Sequence, residues 1–73
     1  MKREVLVDGR WLEPPDPMRK VLAALEDLGP GDRVRFLIHR EPFPLYPILR
    51  QLGYRHQVRL VEDGSYEILI AAN

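Results

Sequence analysis

Three prolines fall within the run Leu12-Glu13-Pro14-Pro15-Asp16-Pro17-Met18, and no regular element can pass through it. A strand interior loses ladder hydrogen bonds at each proline, and a helix interior loses both a bond and the room for the ring. The run must be a loop that ends where proline is tolerated, in the first turn of a helix. Asp16-Pro17 suits that place, with Asp16 as N-cap and Pro17 as the first helical residue. Met18, Val21, Leu22, Leu25 and Leu28 follow at helical spacing. Gly29 reads as the stop, and Pro30 prevents the helix from resuming. Upstream, Glu4 to Asp8 reads as a short strand with Val5 and Val7 on one face, and Asp8-Gly9-Arg10 opens the loop.

The remainder alternates in the same way. Arg33 to His39 is a strand in which Val34, Phe36 and Ile38 alternate with Arg33, Arg35 and Leu37. Pro44 to Leu52 reads as a second helix, with Pro47 tolerable only in its first turn and Gly53 as its stop. Two strands, Tyr54 to Val61 and Ser65 to Ala71, flank the hairpin signal Glu62-Asp63-Gly64. The order βαβαββ, with right-handed crossovers, makes the first three strands run one way and the fourth the other. The expected fold is an α/β (α+β) two-layer sandwich: one domain over residues 1–73, a four-stranded mixed sheet of order 1-2-4-3, and both helices on one face.

Composition removes several classes of function. There is no cysteine, which excludes disulfides, thiolate metal sites and any thiol or persulfide chemistry carried by this chain. The formal net charge is zero, so a broad electrostatic pull on nucleic acid is not expected. No run of about 18 apolar residues occurs that would span a membrane. The start, Met1-Lys2-Arg3-Glu4, leads into a strand without a signal-peptide core, and the chain reads as cytoplasmic.

The segment Asp8-Gly9-Arg10-Trp11-Leu12-Glu13-Pro14-Pro15-Asp16-Pro17 resembles the strand–loop–helix signature of the TusA/SirA-like sulfur carriers, an Asp, a Gly, a Leu and then Cys-Pro-x-Pro opening the first helix. The βαβαββ order matches over essentially the whole chain. The later run His39-Arg40-Glu41-Pro42-Phe43-Pro44-Leu45-Tyr46 resembles an uncharacterised, cysteine-less branch of that superfamily, whose members carry Pro-Pro-x-Pro and a His-x-x-Glu-Pro or His-x-Glu-Pro stretch before Pro-Leu-Tyr. The carriers' cysteine aligns with Pro14, which has neither a side-chain nucleophile nor an N–H. The resemblance therefore implies the fold without the sulfur-transfer chemistry. It also implies an accessory role in redox metabolism, since relatives of this branch are associated with hemerythrin-like and other redox or nitrogen-oxide proteins.

Two surfaces are candidates for function. Parallel first and second strands put their C-terminal ends on one sheet edge, where open α/β sheets favour ligands. That edge should gather Asp8, Arg10, Trp11 and Glu13 with His39, Arg40, Glu41 and Tyr46, residue types suited to a small polar ligand or a protein partner. The opposing interpretation is that these side chains pair with loop backbone and cap strand ends. The second surface is the helix-free face of the sheet. Parity predicts an apolar patch of Leu6, Leu37 and Leu69 bordered by Arg33, Arg35, Arg55 and Arg59, fit either for water or for a partner or second copy.

Sharper chemistry finds less support. His39 and Glu41, with Asp8 or His56, lack the spacing of a metal motif, so no metal and no cofactor are expected. A small metal-dependent or acid–base enzyme centred on His39 is the alternative to a non-catalytic binding domain. RNA binding through the open face, raised because bacterial initiation factor three has a C-terminal domain of the same general fold, is a weaker one. Phe36 and Tyr66 point inward by parity and leave no stacking platform there.

Overall fold

The computed structural model describes residues 3–72. The opening Met1 and Lys2, part of the start read above as lacking a signal-peptide core, lie outside the described residues. The elements are β1 (Glu4–Asp8), α1 (Asp16–Glu26), β2 (Arg33–Ile38), α2 (Leu45–Leu52), β3 (Tyr54–Leu60) and β4 (Tyr66–Ala72). They form a two-layer α+β sandwich with sheet order β1-β2-β4-β3. β1 is parallel to β2, and β4 is antiparallel to both β2 and β3. Helix α1 packs on β1 and β2, and α2 packs on β3. Among the described residues no helix is long and apolar enough to cross a membrane.

One core forms between the layers. Val7, Val34, Phe36, Ile38, Ile68 and Ile70 from the sheet meet Val21 and Leu25 of α1 and Leu45 and Leu49 of α2. Of the apolar helical positions, Val21, Leu25, Leu45 and Leu49 are buried; Met18, Leu22 and Leu28 pack half-exposed against that core. The strand parity places Phe36 in the core and Tyr66 against it.

The ends of α1 differ from the sequence expectation. Pro15 occupies the N-cap, Asp16 is already helical, and no side chain caps this terminus. The helix stops at Glu26 rather than Leu28, because the N–H groups of Asp27 and Leu28 turn back to the carbonyls of Ala24 (3.3 Å) and Leu25 (3.2 Å). Gly29 is not the left-handed residue of this turn; Gly31 is, at φ 82°. The Asp32 carboxylate explains the shift, since it accepts from the Gly29 N–H at 3.1 Å and the Arg3 N–H at 3.0 Å and so closes the connection itself. Helix α2 begins at Leu45 behind Pro44 and ends, as expected, on a left-handed Gly53. β2 and β3 each end one residue early, at Ile38 and Leu60, and β4 runs from Tyr66 to Ala72.

One close approach sets the course of the loop after β1. The Gly9 N–H donates to the Leu37 carbonyl at 2.7 Å, extending the β1–β2 pairing past Asp8. A Cβ on Gly9 would lie 2.9 Å from Phe36 Cε1 and 3.1 Å from Pro17 Cβ. Glycine is thus the one residue that lets the chain cross the end of β2 while the start of α1 stays seated on Phe36. Gly9→Ala is expected to destabilise the protein by about 1–3 kcal/mol through overpacking, read as a lower denaturant midpoint with an unchanged slope.

Candidate functional site

The loops that follow β1 and β2 face each other across one edge of the sheet and enclose a groove of about 800 Å³. Its floor is apolar, formed by Pro17, Met18, Phe36 and Ile38. Trp11, Glu13, His39, Arg40 and Glu41 stand around it, so five of the eight residues assigned to this edge from sequence line one groove. Prolines 14, 15, 42 and 44 form walls that need no hydrogen-bonding partner on the N–H side.

Trp11 is held in an unusual way. Its backbone is left-handed, φ 68°, a conformation that L residues other than Gly, Asn and Asp rarely adopt. Its N–H donates to His39 Nδ1 at 3.1 Å, and its indole stacks on the same imidazole, centroids 5.4 Å apart and planes 16° apart. The residue is nonetheless 79% exposed. His39 therefore serves as the seat of Trp11. Because Nδ1 accepts a hydrogen bond, the proton of the neutral ring sits on Nε2, which is left as a donor.

The other three residues assigned to this edge have different roles. Tyr46 donates its hydroxyl to Glu41 Oε2 at 3.0 Å and stacks on His56, centroids 4.8 Å apart and planes 3° apart. Burial first, and then the hydrogen bond to Glu41 and its charge, push the Tyr46 phenol up to about 12. Asp8 and Arg10 form a fork, Nε and one terminal nitrogen of Arg10 lying 3.0 and 2.9 Å from the carboxylate. This hydrogen bonding lowers the Asp8 pKa to about 2. The other terminal nitrogen of Arg10 reaches Asp63 at 3.2 Å and ties the loop to the β3–β4 hairpin. Asp63 in turn accepts from the hydroxyl and, at 2.9 Å, the N–H of Ser65, and the hydroxyl bond leads the causes that lower its pKa.

Sequence reasoning read Asp63 only as a turn residue, and nothing local marks it as a partner of Arg10. It also missed Phe43, which sits exposed and edge-on to Tyr46, centroids 6.2 Å apart. Met18, Phe36 and Ile38 had been read as core alone, although their edges also floor the groove.

On the helix-free face the register makes three cross-strand rows. Asp8, Leu37, Glu67 and Arg59 form one; Leu6, Arg35, Leu69 and Gln57 the next; Glu4, Arg33, Ala71 and Arg55 the last. Leu6 is exposed and Leu69 half-buried, with Arg35 between them, and Leu37 is only 8% exposed. The three leucines therefore make no continuous patch, a correction to the parity argument, which says where a side chain points but not what lies over it. Nor is the border freely cationic. Arg33 pairs with Glu4 at 2.8 Å, while Arg35 (2.6 Å) and Arg59 (3.1 Å) share Glu67. Glu67 is 4% exposed. Burial raises its pKa, but the Arg35 hydrogen bond and the charges of Arg59 and Arg35 outweigh it and hold the pKa below the usual value.

Among the described residues, no group of three or more His, Cys, Asp and Glu is placed to hold a metal ion. Residues 6–72 match a family described as an uncharacterized conserved protein, DUF2249. No curated protein and no solved structure matches the chain.

Two measurements check this geometry. His39→Ala should free the single tryptophan, lowering its fluorescence anisotropy and the stability by about 1 kcal/mol, the worth of one hydrogen bond. A folded phenol that keeps its proton to about 12, against 10.0 when unfolded, stabilises fully below pH 10.0 and loses that contribution as pH rises through about 12. In urea titrations at rising alkaline pH, wild type should therefore lose its advantage over Tyr46→Phe across that window.

Proposed function

We propose that this chain, which belongs to the DUF2249 family, is a non-catalytic binding domain of the TusA/SirA-like superfamily that keeps the scaffold of a sulfur carrier without its thiol, and that it holds an apolar segment of a partner protein in the groove beneath Trp11. The observation that carries this reading is the exposed indole, seated on His39 at the mouth of an apolar-floored groove. A largely apolar floor suits a protein segment better than a small polar ligand, which would leave its hydrogen-bonding groups facing carbon. Arg40 is exposed and has no ion pair among the described residues, so it is free to meet a carboxylate or carbonyl of the bound segment.

The superfamily assignment is supported by the βαβαββ order, the 1-2-4-3 sheet and the proline-rich entry to α1, where Pro14 takes the place of the carriers' cysteine. An accessory role in redox metabolism follows from the same resemblance. The enzyme alternative centred on His39 fits less well, because two of the groups it needs are already engaged. Nδ1 accepts from Trp11, and the Glu41 carboxylate accepts from Tyr46.

The test is selection from a displayed random-peptide library, with binding of the enriched peptides followed through Trp11 emission or by calorimetry. Trp11→Ala should weaken binding about 30-fold or more, as a central aromatic anchor does. Arg40→Ala should weaken it about tenfold, the share of one charged hydrogen bond, and neither change should lower the thermal midpoint. Peptides that bind both variants as tightly as wild type would overturn the assignment of the groove.

A further inference from the structure

Strand β3 is a sheet edge whose outer side is bare. Among the described residues it pairs with β4 alone. The hairpin bond from the Val61 N–H to the Ser65 carbonyl, 2.8 Å, fixes which of its backbone groups face β4. N–H and C=O alternate in direction along an antiparallel strand. Val61, Arg59, Gln57 and Arg55 therefore bond inward, and Tyr54, His56, Val58 and Leu60 direct theirs outward. The side chains of this outward set lie on the helix side of the sheet, opposite Ile70 and Ile68 of β4 along the register. Helix α2 covers only the start of that row, where Tyr46 stacks on His56. Beyond it Val58 is 42% and Leu60 65% exposed, while Ile68 opposite Val58 is fully buried and Tyr66 opposite Leu60 is half-buried. An edge with free backbone groups and uncovered apolar side chains is a template for another strand.

We infer that the strand it accepts is β3 of a second copy of this chain, antiparallel and related by a twofold axis at Val58. Charge and the cover of exposed apolar residues together select that register, since an axis at His56 also opposes no arginines but leaves Leu60 uncovered. An axis at Gln57 aligns the whole strand but sets Arg55 against Arg59 twice, and an axis at Arg59 sets that residue against itself; like charges directly opposed are destabilising. An axis at Val58 opposes no like charges. Gln57 then faces Arg59 of the second copy, whose own charge is already engaged by Glu67, and Arg55 faces Val61. The same register matches the outward backbone groups, Val58 with its own copy and His56 with Leu60 in both directions. It also covers the exposed apolar residues: Val58 meets Val58, and Leu60 lies beside the stacked His56 ring of the other chain. The sheet becomes one continuous layer through both copies. Each Trp11 groove stays open, because it lies at the β1–β2 side of the sheet.

Sedimentation velocity on the full chain over a range of concentrations should show a monomer–dimer equilibrium. Val58→Asp should raise its dissociation constant about tenfold or more by opposing two carboxylates at the axis, with an unchanged circular dichroism spectrum. The cysteine-free chain permits a register test that does not depend on that variant. Oxidised Val58→Cys should form a covalent dimer, and Arg55→Cys, which faces Val61, should not. In wild type, hydrogen exchange at the amides of His56, Val58 and Leu60 should slow as concentration rises. A chain that remains monomeric at every concentration, a dimer indifferent to Val58→Asp, or equal cross-linking of the two cysteine variants would overturn the inference.

Discussion

Strand β4 hydrogen bonds along both of its edges, and the rest of the structure depends on that. It is the last strand in the chain, yet it lies between β2 and β3 and joins the sheet's two halves. Its inner side chains, Ile68 and Ile70, are fully buried against the helices. Its outer face carries Glu67, a nearly buried carboxylate bridged by Arg35 from β2 and Arg59 from β3. A buried carboxylate is costly when its partners are lost. Glu67 thereby ties β4 to the strand on either side of it, through one arginine from each.

That arrangement puts the C-terminal ends of β1 and β2 beside the β3–β4 hairpin, and the candidate site is built there. Most of the polar groups at this edge are consumed in holding it together. Asp8, Arg10 and Asp63 tie the first loop to the hairpin, Glu41 binds Tyr46, and His39 holds Trp11. What remains outward is an indole, a guanidinium, the Glu13 carboxylate and an apolar trough. Keeping a tryptophan in the left-handed region while exposing it costs free energy.

Legibility from sequence followed the range of the forces involved. The glycine stop of α2, the Glu62-Asp63-Gly64 hairpin and the two-residue alternation of every strand are local, and each was readable. The ends of α1 were not, because the connection is closed by Asp32, whose carboxylate competes with the glycine and proline signals. Leu37 and Val58 show the same limit from opposite sides. Leu37 was placed on the correct face but is covered. Val58, on the helix side with His56 and Leu60, is exposed, beyond the point where Tyr46 of α2 stacks on His56. At the edge, sequence brought together the loops that enclose the groove and five of its lining residues, but it could not separate the side chains that line the groove from those that brace it.

By itself the sequence determined the order of elements, the two-layer fold and the absence of thiol chemistry, because proline, glycine and hydrophobic alternation act over a few residues and a missing cysteine cannot be supplied by folding. Only the tertiary structure decided that His39 seats Trp11, that Arg10 reaches Asp63, that Glu67 is buried between two arginines and that the outer edge of β3 stands uncovered. Each of those outcomes joins residues far apart in the chain, and their distances are set by sheet order and helix length rather than by any neighbour in sequence.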